Sequence, residues 1–500
     1  MPTHRLRLPL ALGLLVFCVF SLTSSTHPYG YEGPTISYVE RTLFGTGAGL
    51  KEDSVAGLVD RLAYVPFVIG KHTLAPGRGE SLRRIAYVLV QPSIATLVCL
   101  ALYGLARQVR YRRSTAARLV LVAAGATMLW PYSKFGMENH QTLWTVAGTW
   151  LFLRYAMHPS AGRAALAAAA LGTLALTKLS GVLHAAVLFA AGAALVLRLG
   201  AGRWPSLRRD LAIGLAVGAA ALAILLVSNR LIYGGWLLGG RYEIGIEYSP
   251  RLWWNSALGL LVGPGKSLFV FNPPLLLGAA LLPRFLRRSP ELRPFAWALL
   301  ALTLFYVCGL YWFFEESWGP RRMHFLVPFL VLPLGLWLDE WKTLGGRKRI
   351  LAGGLLALGV GTQVLAVCFS YAAHPWTLRR HPSYSMEGIT WNPRLNALVF
   401  NAHLLRSLLS RATGGPSLPF VIEDHYIPWN SPHPVPRPRR FDVSREDHLD
   451  FWWEQERVEW SKIGGDFWFD QDAAWVAILL FAGALTGGVS TARAVRRPGS

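Results

Sequence analysis

About twelve stretches of this chain are apolar over lengths close to the roughly 17–25 residues that a helix needs to cross a bilayer. They lie near Leu6–Leu22, Ile85–Ala106, Leu119–Tyr132, Thr142–Leu153, Ala164–Leu179, Val182–Leu197, Leu211–Ser228, Ala257–Leu282, Phe295–Phe313, Met323–Leu338, Ile350–Tyr371 and Ala473–Thr491. Inside lipid each backbone N–H and C=O must be satisfied within the protein, which leaves the helix as the natural form for such runs. The expected fold class is an all-α polytopic membrane protein, with about 12 transmembrane helices, extracytoplasmic loops and an irregular C-terminal outer domain. Of the 500 residues, 53% are hydrophobic and 16% charged, which excludes a disordered chain, a disulfide scaffold and an ordinary soluble enzyme.

The net charge of +22 invites a nucleic-acid reading, and the placement of the charges answers it. With a cytoplasmic N-terminus, the inner segments include Arg107–Arg113, Arg198–Arg209, Arg284–Arg293 and Arg347–Arg349. Together the inner segments and tails hold 24 of the 50 basic residues but only four of the 28 acids: Asp210, Glu291, Asp339 and Glu340. Nearly all the excess therefore lies on one side, as the positive-inside rule requires. The basic balance reports membrane topology and anionic lipid; no nucleic-acid partner is expected.

Both termini are then expected in the cytoplasm of a multi-pass plasma-membrane protein. The chain divides into a transmembrane region (1–371, with a first outer loop over 23–84), an extracytoplasmic Trp/Pro-rich region (372–472), and a last helix with its tail (473–500). Short outer turns are expected at Ser133–Gln141, around Ser180–Gly181, and at Phe314–Arg322. Leu119–Tyr132 and Thr142–Leu153 are short for a hydrocarbon core of about 30 Å, so the side on which Glu138 lies depends on whether that pair crosses. Arg5 and Arg7 before the first apolar run fit a signal peptide or a retained anchor; Phe20–Ser25 offers no obvious small-x-small cleavage site, which favours the anchor. Cys18, Cys99, Cys308 and Cys368 all fall in apolar segments, so no disulfide framework is expected. No H-E-x-x-H or C-x-x-C pattern points to a metal. Gly265-Lys266-Ser267 imitates the end of a phosphate-binding P-loop, but position 260 is Leu where the first glycine must stand.

The outer segments mix aromatic residues with particular charges. Pro28, Gly30, Gly33 and Pro34 turn the chain after the first span, and Glu32 sits in that turn; its plain alternative is a solvated loop carboxylate. Ile36, Val39 and Leu43 predict a short amphipathic helix over 35–44 lying along the interface. The run Pro428–Pro438 is expected to be extended, and Trp376, Trp391, Trp429, Trp452, Trp453, Trp460 and Trp468 suit an acceptor-side surface or a structural cap.

Tyr31-Glu-Gly-Pro followed by Tyr38-Val-Glu-Arg-Thr-Leu43 resembles the D-G-P/D-E-P…a-x-S-L signature of the first outer loop in the GT-C superfamily of polytopic glycosyltransferases, which includes aminoarabinose transferases and protein O-mannosyltransferases. Trp130-Pro-Tyr-Ser-Lys-Phe-Gly-Met-Glu138 is similar to a recurring Y-S…E turn of that superfamily. Gly259 to Pro274 is similar to its G-L-L-f-S-P-G-R-G-L-L-f-Y-S-P stretch, and Ser317 to Pro328 to its G-P-R-Y-l-l-P-a-l-P stretch. The stretches occur in the family's order between residues 1 and 340. Glu32 stands for the commoner Asp, Lys266 for Arg and Arg322 for Tyr, and no match extends beyond residue 372.

The resemblance implies an inverting transfer of a sugar from a polyprenyl-phosphate donor to a glycan, lipid or protein acceptor on the extracytoplasmic face. Glu32 matches the family's catalytic acid and is the candidate general base. A carboxylate of ordinary pKa, about 4.3, is ionised at neutral pH. Lys71, Lys266, Arg321 and Arg322 are candidates for holding the departing phosphate. Arg321 and Arg322 otherwise balance Glu315 and Glu316, and Lys266 otherwise snorkels at a span end. Lys134 and Glu138 form a second polar cluster that orients the acceptor or sugar, or simply pair at i, i+4. Lys178 either serves the site or snorkels. No cofactor is expected, and a divalent metal stays open because the family has members with and without one. The alternative function is a transporter or flippase of polyprenyl-linked glycans.

Overall fold

The computed structural model describes residues 3–25, 32–44, 58–73, 79–135, 138–199, 204–233, 236, 250–309, 317–370, 373–378, 386–422, 439–441, 443, 449–451 and 469–496. The first half contains α1 (Thr3–Leu22), α2 (Glu32–Phe44), α3 (Leu58–Thr73), α4 (Gly79–Gln108), α5 (Arg113–Ala126), α6 (Leu129–Phe135), α7 (Asn139–Met157), α8 (Ala161–Ala175), α9 (Leu179–Leu199) and α10 (Trp204–Tyr233). There follow α11 (Pro250–Leu261), α12 (Leu268–Phe271), α13 (Pro274–Arg288), α14 (Arg293–Gly309), a 3₁₀ helix over Arg321–Leu326, α15 (Val327–Val331) and α16 (Gly335–Asp339). The chain continues through α17 (Gly346–Cys368), α18 (Ala373–Leu378), α19 (Met386–Trp391), α20 (Ala397–Ala412), β1 (Phe420–Ile422), β2 (Arg439–Phe441) and α21 (Phe469–Arg496). The strands form one antiparallel pair with Phe420 opposite Phe441, a small piece of regular structure in a region expected to be irregular.

The fold is that of an all-α polytopic membrane protein. Among the described residues seven segments are long and apolar enough to cross a membrane: Val88–Gln108, Ser180–Leu199, Arg208–Arg230, Pro290–Cys308, Arg321–Asp339, Gly346–Cys368 and Trp475–Val495. Each coincides with a stretch read from the sequence. Two more, within α1 and α8, are apolar but shorter. The stretch Leu119–Tyr132 is divided between α5 and α6, because the chain leaves helical geometry at Thr127, whose φ of −134° and ψ of 168° are extended. Thr142–Leu153 grows into the 19-residue α7, about 28 Å long, once Asn139, His140 and Gln141 at its start and Arg154 to Met157 at its end are drawn into the helix. Ala257–Leu282 is not one helix. Gly263-Pro264-Gly265 ends α11, and the Asn272-Pro273 step separates α12 from α13, since proline supplies no N–H to continue a helical ladder.

The core follows from the apolar residues these helices share. Here α1 packs on α4 and α21, α4 on α5 and α7, α7 on α8 and α9, α8 on α10, and α17 on α5. Leu12, Val98, Leu102, Leu105, Leu119, Val120, Val146 and Leu153 form its fully buried centre. Helix α10 and helix α21 leave Leu215, Leu222, Phe481 and Leu479 exposed, as lipid-facing helices do. A separate small core (Phe369, Ala373, Leu395, Phe400, Leu404, Phe420 and Val443) seats the described part of the 372–472 region on the end of α17.

The expected inner segments meet one another. Gln108 Nε2 donates to Met157 Sδ (3.1 Å), Tyr155 to Asp210 (3.0 Å) and Arg284 to Glu340 (2.7 Å), and Arg288 lies 3.7 Å from Asp339. The expected outer turns meet at the opposite ends of the same helices, and there the candidate site forms.

Candidate functional site

Glu138 occupies the residue before the first turn of α7, with φ of −117° and ψ of −4°. A side chain at that position often caps its own helix. This one does not. Its carboxylate turns instead to cations from two other elements. Glu138 Oε2 accepts from Lys178 Nζ, and Oε1 lies 3.7 Å from Arg321 Nε. Lys178 sits in the turn joining α8 to α9, and Arg321 opens the 3₁₀ helix. Glu138 is only 5% exposed. Burial pushes the Lys178 ammonium below the usual lysine range; the Glu138 carboxylate opposes that shift, and the Arg322 and Arg321 guanidinium groups add to it.

The turn before Arg321 depends on Gly319, whose φ of +64° is the left-handed conformation that glycine adopts without strain. A Cβ there would also stand 2.9 Å from Phe271 Cγ. Residues three apart eclipse in a 3₁₀ helix, so His324 falls on the same side as Arg321. Its Nδ1 is 2.8 Å from Thr142 Oγ1, one turn along α7 from Glu138. Two contacts thus hold the 3₁₀ helix against the start of α7. Tyr132 completes the wall: its ring packs on His324 with centroids 4.7 Å apart, and its hydroxyl donates to Trp318 O at 3.0 Å. Helix α3 brings a further acid. Val59 N donates to Leu176 O (3.5 Å), and Asp60 Oδ1 lies 3.5 Å from His140 Nε2.

The predicted residues divide. Glu138, Arg321 and Arg322 come together, and Lys178 joins them. Since Glu138 touches residues of two other expected outer turns, it lies at their end of the bundle. Glu32 is the first residue of α2, and its side chain lies outside the described residues. Helix α2 itself matches the expected amphipathic segment, with Ile36 and Val39 buried and Leu43 exposed. Lys71 lies in the last turn of α3, roughly 16 Å along that helix from Asp60, and pairs with Glu40 at 2.6 Å. Glu315 and Glu316, the alternative partners of the arginine pair, lie outside the described residues.

Lys266 does not snorkel. It is 3% exposed and sends Nζ to Ser317 O (2.6 Å) and towards Gly319 O (3.5 Å), holding the turn that leads to Arg321. With Trp318, His374, Ile389 and Asn401 it lines a small cavity beneath the outer helices. Lys134 must be moved out of the site, and it does not pair with Glu138. Its Nζ donates to Val367 O (2.8 Å), Asp450 O (2.8 Å) and Asp450 Oδ2 (3.1 Å), which uses all three ammonium hydrogens. Helix α6 ends at Phe135 and α7 begins at Asn139, so the continuous helix that an i, i+4 pair requires is missing.

Three of the four superfamily-like stretches thus converge. Tyr132 and Glu138 of the first reach Trp318 and Arg321 of the last, while Lys266 of the middle one reaches Ser317. Asn272, also in the middle stretch, accepts from Met128 N at 2.6 Å. Asp60, His140 and His324 were not singled out from the sequence. The one signal was the polar run Asn139–Thr142 opening an otherwise apolar helix, because polar groups at membrane depth need partners. Among the described residues no three His, Cys, Asp or Glu side chains gather as metal ligands would.

Fold and site together define a polytopic helical membrane protein with a buried carboxylate held among cations at one end of its bundle. The chain matches no family model and no curated protein. Among solved structures it is similar to ArnT from Cupriavidus metallidurans bound to undecaprenyl phosphate, at 18% identity over 82% of this chain and 72% of that one, with a TM-score of 0.45. The apo form of the same protein gives 18% identity over 81% and 69% of the two chains and a TM-score of 0.46.

Proposed function

We propose that the protein is an inverting membrane glycosyltransferase that moves a sugar from a polyprenyl-phosphate donor to an acceptor on the extracytoplasmic face of the plasma membrane. The observation that carries this reading is the meeting of Glu138 and Arg321, from two stretches whose sequences resemble one superfamily of such enzymes, with Lys178 brought to them from a third turn.

The reaction breaks the bond between the anomeric carbon and the lipid phosphate while an acceptor hydroxyl attacks from the opposite face. Glu32 takes the hydroxyl proton, a contribution on the order of 10²–10⁴-fold. As the bond breaks, negative charge grows on the phosphate. Arg321, Arg322 and Lys178 stabilise it, the guanidinium groups through paired hydrogen bonds. Glu138 holds those cations in register before the donor arrives and orients the sugar. Lys266 acts one step back, fixing the Ser317–Gly319 turn. The acceptor is a glycan, lipid or protein, and membrane lipid surrounds the spans.

Mass spectrometry of lipids and surface glycans from cells lacking the protein tests this directly. One glycosyl unit should vanish while its lipid-linked donor accumulates on the outer leaflet. The wild-type gene should restore the unit and Glu32→Gln should not. Restoration by Glu32→Gln at the parental rate removes Glu32 as the base. Accumulation on the cytoplasmic leaflet instead identifies a flippase.

A further inference from the structure

Beneath the charged cluster lies a polar group within the membrane-spanning part that the transfer chemistry leaves without a task. Tyr306, on α14, is 1% exposed, and its hydroxyl meets Gln141 Nε2 at 3.3 Å and His184 Nε2 at 3.0 Å. Gln141 Nε2 also donates to Ser180 Oγ at 3.2 Å. Thr145 Oγ1 donates to Gln141 O at 2.7 Å and stands 3.2 Å from His184 Nδ1.

The directions of these bonds follow from donor supply. Thr145 has one hydroxyl hydrogen and spends it on the Gln141 carbonyl, so towards His184 it can only accept. The His184 proton is therefore on Nδ1, and Nε2 is left as an acceptor. Tyr306 must donate its hydroxyl hydrogen to that Nε2, and its oxygen then accepts from the Gln141 amide. The Tyr306 oxygen is also hydrogen-bonded to the Ser180 side chain, and the Tyr306 hydroxyl joins the two halves.

The network reaches all three elements that carry the charges. Gln141 stands three residues after Glu138 on α7. Ser180 and His184 stand two and six residues after Lys178, on α9. Phe325 stands four residues after Arg321 and packs on both Tyr306 (centroids 5.8 Å) and His184 (4.7 Å). From this convergence we infer that Tyr306 is a positioning residue, whose hydroxyl sets the separation of the α7 start from the α8–α9 turn and so holds Glu138 on Lys178. Its consequence for turnover rests on the transferase reading; its effect on Lys178 does not.

Tyr306→Phe keeps the ring and removes the hydroxyl, leaving His184 Nε2 without a donor, breaking the Ser180–Tyr306 bond and leaving the Gln141 amide with Ser180 Oγ alone. The readout is the rate at which a small amine-reactive acylating reagent modifies Lys178, followed by peptide mass spectrometry on the full-length protein in detergent. Tyr306→Phe should raise that rate about fivefold, the factor that corresponds to one hydrogen bond of ordinary net strength. Thr303→Val is the control, since it removes a hydroxyl from the same helix that among the described residues bonds only Leu299 O, and it should leave the rate unchanged. In a transfer assay Tyr306→Phe should lower kcat by a similar factor at unchanged KM for the lipid donor. Equal Lys178 labelling in Tyr306→Phe and wild type overturns the inference, as does an equal rise in Thr303→Val. Altered labelling in a protein that transfers no sugar leaves Tyr306 as the positioning residue and removes the transferase reading instead.

Discussion

Lys134 and Glu138 flank one short turn and both are buried in ion pairs, yet the two pairs differ in kind. Lys134 is closed on all sides: its three hydrogens go to two carbonyls and a carboxylate, and Asp450 is held in turn by Ser25 Oγ (3.1 Å) and by its own N–H to Cys368 O (2.8 Å). That arrangement ties the ends of α1, α6 and α17 to the outer region and leaves no hydrogen for a ligand. Glu138 instead bridges cations from two turns that pack loosely enough to leave Lys178 15% and Arg321 11% exposed. The lesson is that a buried charge with every partner in place is a fastening. A charge whose partners keep some access is a candidate for chemistry.

The sharpest way to break this comparison is Lys134→Met. Removing one member of a buried ion pair strands the other, at a cost of about 3–5 kcal/mol. The thermal unfolding midpoint in detergent should fall steeply, and the double variant Lys134→Met/Asp450→Leu should recover much of the loss. If Lys134→Met unfolds like wild type, the pair is not the fastening described. Glu138→Gln should behave in the opposite way. Stability should fall less, because Lys178 keeps some solvent, while transfer should fall by about 100-fold, the scale of a misplaced reacting group. A large stability loss with transfer intact would exchange the roles of the two pairs.

Gly265→Ala probes the same fastening from its other side. Gly265 N donates to Thr390 O at 3.1 Å, and an added Cβ would lie 1.8 Å from Ile389 O. Helix α19 must move away, a cost of about 1–3 kcal/mol. Cross-linking between the Pro264 and Thr390 positions should drop, with transfer changed less than in Glu138→Gln. Unchanged cross-linking would mean that the outer region does not rest on this loop.

Helices and partners were not equally legible in the sequence. Apolar length alone located the seven spanning segments, since hydrophobicity over about twenty residues is a local property. Division of the 257–282 stretch was also written locally, in Gly263-Pro264-Gly265 and Asn272-Pro273, yet an apolar average hides such punctuation. Partner choice was not local. Lys134 and Asp450 are 316 positions apart, and nothing near Lys134 distinguishes Asp450 from Glu138 as its carboxylate. Helical spacing favoured Glu138; the break between α6 and α7 decided otherwise. Lys178 was visible as a polar residue at a span end, but its pairing with Glu138 required the packing of α7 on α9. Asp60 gave no signal, as one ordinary acid in the first turn of α3.

The smallest expected effect is on pH dependence, and it separates the two lysines again. Burial lowers both ammonium groups below the ordinary 10.5, while Asp450 opposes the shift at Lys134 and Glu138 opposes it at Lys178. Between each depressed pKa and 10.5 the native chain has released a proton that the unfolded chain still holds. The unfolded state then binds more protons, so unfolding free energy rises with pH across that window and is lowest below it. The limit for one lysine is about 1.4 kcal/mol per pH unit. Lys178 should contribute less than this, since it retains some solvent and Lys134 retains none. Lys178→Met should therefore flatten the alkaline rise slightly in denaturant titrations, and Lys134→Met/Asp450→Leu should flatten it more. An equal slope in Lys178→Met and wild type would mean that Lys178 titrates as a solvated lysine, and the proposed confinement of its partner Glu138 would go with it.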